Sequence, residues 1–139
     1  MTFEITSPVF ADKTKMPALY TCEGRNISPP LQWTAPPAGT KSLVLINDDP
    51  DAPDPAAPKM TWVHWVLYNL PPEAGSLPEA VQDKDLPKGT LIGTNDRQFA
   101  GYGQYDQGGS RQKNGRAHSG TDRDDRPLCQ KGKCLKRIF

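Results

Sequence analysis

Two stretches of this chain carry residues whose type and spacing could do chemistry. The first is the acidic run Asp48-Asp49-Pro50-Asp51-Ala52-Pro53-Asp54-Pro55, in which four carboxylates fall within seven residues and prolines stiffen the backbone between them. A loop stiffened in this way holds its side chains at low entropic cost when a ligand binds. Carboxylates packed this closely raise one another's pKa, so some can keep a proton and donate hydrogen bonds. A solvated acidic turn is the plain alternative. A calcium loop of the EF-hand kind is not supported, because its glycine and distal glutamate are missing. The second stretch is Trp62-Val63-His64-Trp65. Alone, His64 reads as a hydrogen-bonded core histidine. Beside carboxylates it can hold a proton near neutral pH and attract phosphate. No serine elbow, phosphate loop or paired metal motif is present, and His64, His118, Cys129 and Cys134 lack zinc-site spacing. No metal and no cofactor is therefore expected.

These residues need elements to position them, and the pattern is one of strands. Phe3 to Thr6 and Leu31 to Thr34 alternate between prolines or serines that bound them. Ser42 to Asn47 is a continuous apolar run that suits a strand buried on both faces. Trp62 to Leu70 is rich in aromatic and β-branched residues and stops at Pro71-Pro72. Strict alternation there puts Trp62, His64 and Val66 on one face and Val63, Trp65 and Leu67 on the other. If this strand pairs with the one that ends at Asp48, His64 and the carboxylates meet at one end of a sheet. Leu91-Ile92-Gly93 is a further short strand, and Pro78 to Asp83 is the one helical turn expected. Short strands with proline-rich connections indicate an all-β fold, an antiparallel β-sandwich.

The chain of 139 residues and 15.3 kDa has room for one domain. Its 15 prolines and 12 glycines argue against a helical bundle. The net charge of +1 gives no general pull toward nucleic acid or membrane. That average hides a break, because residues 1–103 carry 8 basic and 12 acidic side chains whereas residues 104–139 carry 9 and 4. The basic tail has four interspersed aspartates and few aromatics, so it reads as a solvated, irregular or disordered segment and not as a nucleic-acid-binding one. No apolar run is long enough for a transmembrane segment, and Met1-Thr2-Phe3-Glu4 does not read as a signal peptide. A cytoplasmic location is expected, with Cys22, Cys129 and Cys134 as free thiols.

At the level of motifs the chain resembles the phosphatidylethanolamine-binding protein family, in its bacterial Raf-kinase-inhibitor-like branch. The resemblance rests on Tyr20-Thr21-Cys22-Glu23-Gly24, Asn26-Ile27-Ser28-Pro29-Pro30-Leu31 with Trp33, Asp48-Asp49-Pro50-Asp51-Ala52-Pro53, the strand from Trp62 to Asn69, Gly93-Thr94-Asn95-Asp96 and Gly101-Tyr102-Gly103. It covers roughly residues 1–103. It implies an antiparallel β-sandwich with a small pocket for phosphate-like anions, including phospholipid head groups. Asp49, Asp51 and His64 would line that pocket, and Pro53 would shape its turn. The implied activity is non-enzymatic binding, with kinases or proteases as possible regulated partners.

Beyond Gly103 the chain departs from the family. The proline- and glycine-rich turn, the Gly-x-His-Arg strand and the core strand that follow in relatives are not readable here. His118 is followed by Ser119, so the role of a second pocket histidine is not given to it. Codons compatible with Arg116 to Arg126, read one base on, permit a peptide that resembles the family's C-terminal helix and last strand. The expectation is thus a partial sandwich over 1–103 and a basic tail over 104–139 that is disordered or out of frame. Two alternatives stay open, a small hydrolase using His64 with Asp49 or Asp51 as acid and base, and a truncated product without function.

Overall fold

The computed structural model describes residues 2–21, 24–52, 57, 59–96, 98–102 and 135–138, with the backbone alone for 51, 52 and 135–138. Pro53, the three cysteines and most of the tail expected to be irregular lie outside the described residues. Seven strands form among those described: β1 (Ile5–Thr6), β2 (Leu31–Trp33), β3 (Leu43–Ala52), β4 (Met60–Leu70), β5 (Ser76–Leu77), β6 (Leu91–Ile92) and β7 (Leu135–Ile138). They make two antiparallel sheets, one in the order β1-β2-β5 and one in the order β6-β4-β3-β7.

The sheets pack face to face, with side chains of period two on β3 and a register shift that lets both Leu67 and Leu70 of β4 face inward. Leu31, Trp33 and Leu77 from the small sheet meet Leu43, Leu45, Trp65, Leu67 and Leu70 from the large one. Leu67 and Leu70 have no exposed surface. Each leucine buried in this way contributes about 1.5–3 kcal/mol. A smaller cluster of Met16, Tyr20 and Ile27 sits beside a 3-10 turn over Ala18–Tyr20. Tyr20 is 3% exposed, and its hydroxyl donates to Glu79 Oε1 at 2.5 Å. Burial, then that hydrogen bond and the Glu79 charge, push its pKa up to about 12.

Three local expectations are corrected. Burial on β3 alternates: Leu43, Leu45, Asn47 and Asp49 are buried while Val44, Ile46, Asp48 and Pro50 are half-buried, so only the inner face is core. The acidic run is no loop at its start, because β3 continues to Ala52. The helical turn over Pro78 to Asp83 does not form, since the Ala80 N–H donates to Ser28 O (2.8 Å) and the Val81 N–H to Ser28 Oγ (3.1 Å). With those donors taken by a distant segment, Ala80 sits at φ +50 and a 3-10 turn starts only at Asp83. Within the tail, Leu135–Ile138 adds a strand to β3, with Leu135 opposite Asp48.

Candidate functional site

Two bulges shape the far end of the β3–β4 hairpin. Leu45 stands opposite Leu67, Ile46 opposite Val66 and Asn47 opposite Trp65, but Asp48 stands opposite Val63. His64 is therefore one residue extra on β4. Asp49 then faces Trp62 and Ala52 faces Met60, which leaves Pro50 and Asp51 against Thr61 alone. Proline has no N–H to give to a ladder, and bulges are where a paired strand accommodates it. A bulge re-aims side chains and increases local twist.

Residues directly opposite in an antiparallel pair share a face. Asp49 and Trp62 thus lie on the inner face with Asn47, Trp65, Leu45 and Leu67, and Asp48 and Val63 lie on the outer one. The strict alternation expected along β4 fails at His64: Trp62 joins Trp65, and Val63 joins Val66. The cause is the extra residue, which resets the phase of the strand.

Of the residues singled out from sequence, Asp49 and His64 lie on adjacent strands near the turn end of the hairpin, Asp49 opposite Trp62 and His64 in the bulge between Val63 and Trp65. Asp49 is only 1% exposed and His64 is half-buried. Asp51 continues β3 within its bulge, and its backbone alone is described. Asn47, two positions before Asp49 on the same face, is buried, and its Oδ1 has no hydrogen-bond partner among the described residues. Asn47 and Trp62 were not singled out from sequence as site residues. Trp62 faces inward because of the extra residue at His64, which nothing in the composition of β4 announces.

A second layer holds this end of β4 on its edge away from β3. The Gly93 N–H donates to Val66 O at 2.8 Å, and the Asp96 N–H to Val63 O at 3.0 Å. Asp96 Oδ2 accepts from the Val63 N–H at 2.7 Å, and Asn95 Nδ2 donates to His64 O at 3.0 Å. Asn95 is buried, and its Oδ1 accepts from the Phe99 N–H at 3.1 Å, closing the turn. Tyr102 ends the segment: its ring meets Trp65 edge-on at 5.4 Å, and its hydroxyl donates to Tyr20 O at 2.6 Å. No three His, Cys, Asp or Glu side chains converge as a metal site among the described residues. No helix among them is long and apolar enough to cross a membrane.

A two-sheet antiparallel sandwich with a carboxylate and a bulged histidine at one end defines the class. The sequence profile of the phosphatidylethanolamine-binding protein family matches residues 6–118, and the chain belongs to that family. The matched stretch runs past Gly103, where the motif resemblance stopped, to His118. A UPF0098 protein of Methanothermobacter thermautotrophicus is 48% identical over 94 residues, covering 67% of this chain and 59% of the relative. A UPF0098 protein of Aquifex aeolicus is 41% identical over 100 residues, 72% of this chain and 56% of the relative. The chain thus spans less than two thirds of the curated relatives it matches. Among solved structures it is similar to CT736 of Chlamydia trachomatis, a phosphatidylethanolamine-binding protein homologue (TM-score 0.62, 37% identity, 72% of this chain and 62% of that one). It is also similar to YbcL of E. coli, described as a member of the mammalian family (TM-score 0.63, 33% identity, 74% of this chain and 65% of that one). The family is one of ligand-binding proteins.

Proposed function

We propose that this chain is a non-enzymatic binding module for phosphate-like anions, phospholipid head groups among them, with Asp49, Asp51, Pro53 and His64 at its site. The observation that carries the reading is the buried Asp49 carboxylate beside the bulged His64 at one end of a sandwich of this family. A carboxylate repels an anion unless it is protonated or positive charge stands nearby. Protonated His64 supplies that charge, so binding strengthens as pH falls toward the imidazole pKa, about 6.5 for an unperturbed group. A zwitterionic head group meets the same need differently: its phosphate faces His64 while its ammonium faces Asp49 and the acceptor Asn47 Oδ1. A regulatory, kinase-inhibitor-like role toward a kinase or protease, in the cytoplasm, completes the proposal. Without a readable Gly-x-His-Arg motif to add a second pocket histidine, the site is open and weak, with a Kd in the millimolar range, about −4 kcal/mol.

The test is a titration of the full chain with inorganic phosphate and, separately, with phosphoethanolamine, followed by NMR on the His64 ring. Both ligands move the ring resonances, and phosphoethanolamine binds more tightly. An unresponsive ring, with affinity unchanged in His64→Ala, refutes the site.

A further inference from the structure

We infer that Asn95 is a positioning residue that sets the direction of the His64 imidazole toward the ligand. This rests on the binding reading above and assigns the group that makes it possible. A bulged residue gains its own direction only by leaving the ladder, since its peptide groups fall out of step with the partner strand. Such a residue swings between directions unless something fixes its backbone. Here the fixing group is a buried amide: Asn95 Nδ2 donates to His64 O at 3.0 Å and to Gly101 O at 3.4 Å. The amide is itself immobilised, because Asn95 Oδ1 accepts from the Phe99 N–H, the Asn95 N–H donates to Phe99 O at 2.9 Å, and Asn95 O accepts from the Gln98 N–H at 2.8 Å. Asp96 secures the neighbouring residue Val63 at both its N–H and its C=O. The bulge is thus pinned from the side opposite the partner strand by two consecutive residues. Each binds one step of β4, and it is Asn95 that binds the carbonyl of the bulged residue.

The chemistry of the pin is specific. An asparagine offers a donor to His64 O and an acceptor to the Phe99 N–H in one planar group. Aspartate has the same shape but places an acceptor against the His64 carbonyl. Asn95→Asp therefore turns an attraction into a repulsion at the His64 carbonyl, and at the more distant Gly101 carbonyl, and keeps the bond to Phe99.

Phosphate titrations of the full chain by NMR, with urea unfolding alongside, test this. In Asn95→Asp, phosphate binding weakens about tenfold, and the His64 ring resonances of the ligand-free protein shift while unfolding stays cooperative. Leu67→Ala, which loosens the core away from the site, leaves the phosphate Kd within twofold. In the unmodified chain the Asn95 side-chain amide protons exchange slowly with solvent, a measurement that stands even if Asn95→Asp fails to fold. Fast exchange, or His64 ring resonances unchanged in a folded Asn95→Asp, overturns the inference. If the ring shifts in Asn95→Asp but wild-type protein ignores phosphate, the positioning role stands and the anion-binding reading falls.

Discussion

Tyr20 should make the protein lose stability in a defined alkaline window. Its phenol is 3% exposed and bonded to Glu79, and its pKa is raised from 10.0 to about 12, first by burial and then by that carboxylate. Below pH 10 the phenol is protonated whether the chain is folded or not, and the pair contributes in full. As pH rises past 10 the unfolded chain releases the proton while the folded chain retains it. Folding therefore becomes less favourable until the folded group also titrates. Two pKa units at about 1.4 kcal/mol each give a loss of roughly 3 kcal/mol across the window. That is a large share of the 5–15 kcal/mol typical of a domain. Other groups titrate in the same range, so the measurement is a difference. Urea unfolding of wild type and Tyr20→Phe at a series of pH values isolates the term, and the tyrosinate absorbance of the two proteins locates the titration. The stability difference between them should change by about 2 kcal/mol in favour of Tyr20→Phe as pH rises from 10 to 12, the remainder falling on either side of that interval. In Glu79→Gln, which keeps an acceptor and removes the charge, the pKa should fall only part of the way, because burial is the larger cause. A difference that stays flat with pH refutes the reasoning.

Two further substitutions test the backbone of the site and its surroundings. A Cβ on Gly93 would stand 2.9 Å from both Cβ and Cγ1 of Val66, so Gly93→Ala should cost about 1–3 kcal/mol in thermal or urea unfolding. Adding Val66→Ala should recover part of that loss, and simple additivity of the two would count against the clash. Ala80 holds φ +50, a conformation that costs an L-residue about 1–2 kcal/mol. Ala80→Gly should therefore raise stability by up to about 1 kcal/mol after glycine's greater unfolded-state freedom is counted, and a lower unfolding midpoint would contradict this.

The parts of this fold legible in sequence are those where side-chain period and burial agree. Leu31 and Trp33 flank an exposed Gln32, so that strand is read directly. The pairing that brings the end of β3 beside His64 follows from two long apolar strands with a turn-forming segment between them. What was not legible depends on partners distant in the chain. Ser76–Leu77 is a strand because β2 offers it a register, and two residues carry no period of their own. Ala80 leaves the helical path because Ser28 takes the N–H groups a turn would use. On β4, alternation counted through His64 assigns Trp62 and Val63 to the wrong faces. A bulge has no composition signal on its own strand, and Pro50 announces only the shift on the other one.

The phase reset at His64 has a consequence for how such a hairpin can change over generations. On the core side, inward-facing positions are fixed by Leu45 with Leu67 and by Asn47 with Trp65. Toward the turn between β3 and β4 they are fixed by Asp49 with Trp62, and the extra residue separates the two counts. A change that alters which side chains face inward at the turn end does not propagate into the packed end, since the bulge absorbs the mismatch. The hairpin behaves as two modules in one continuous strand pair, each with its own count of inward positions.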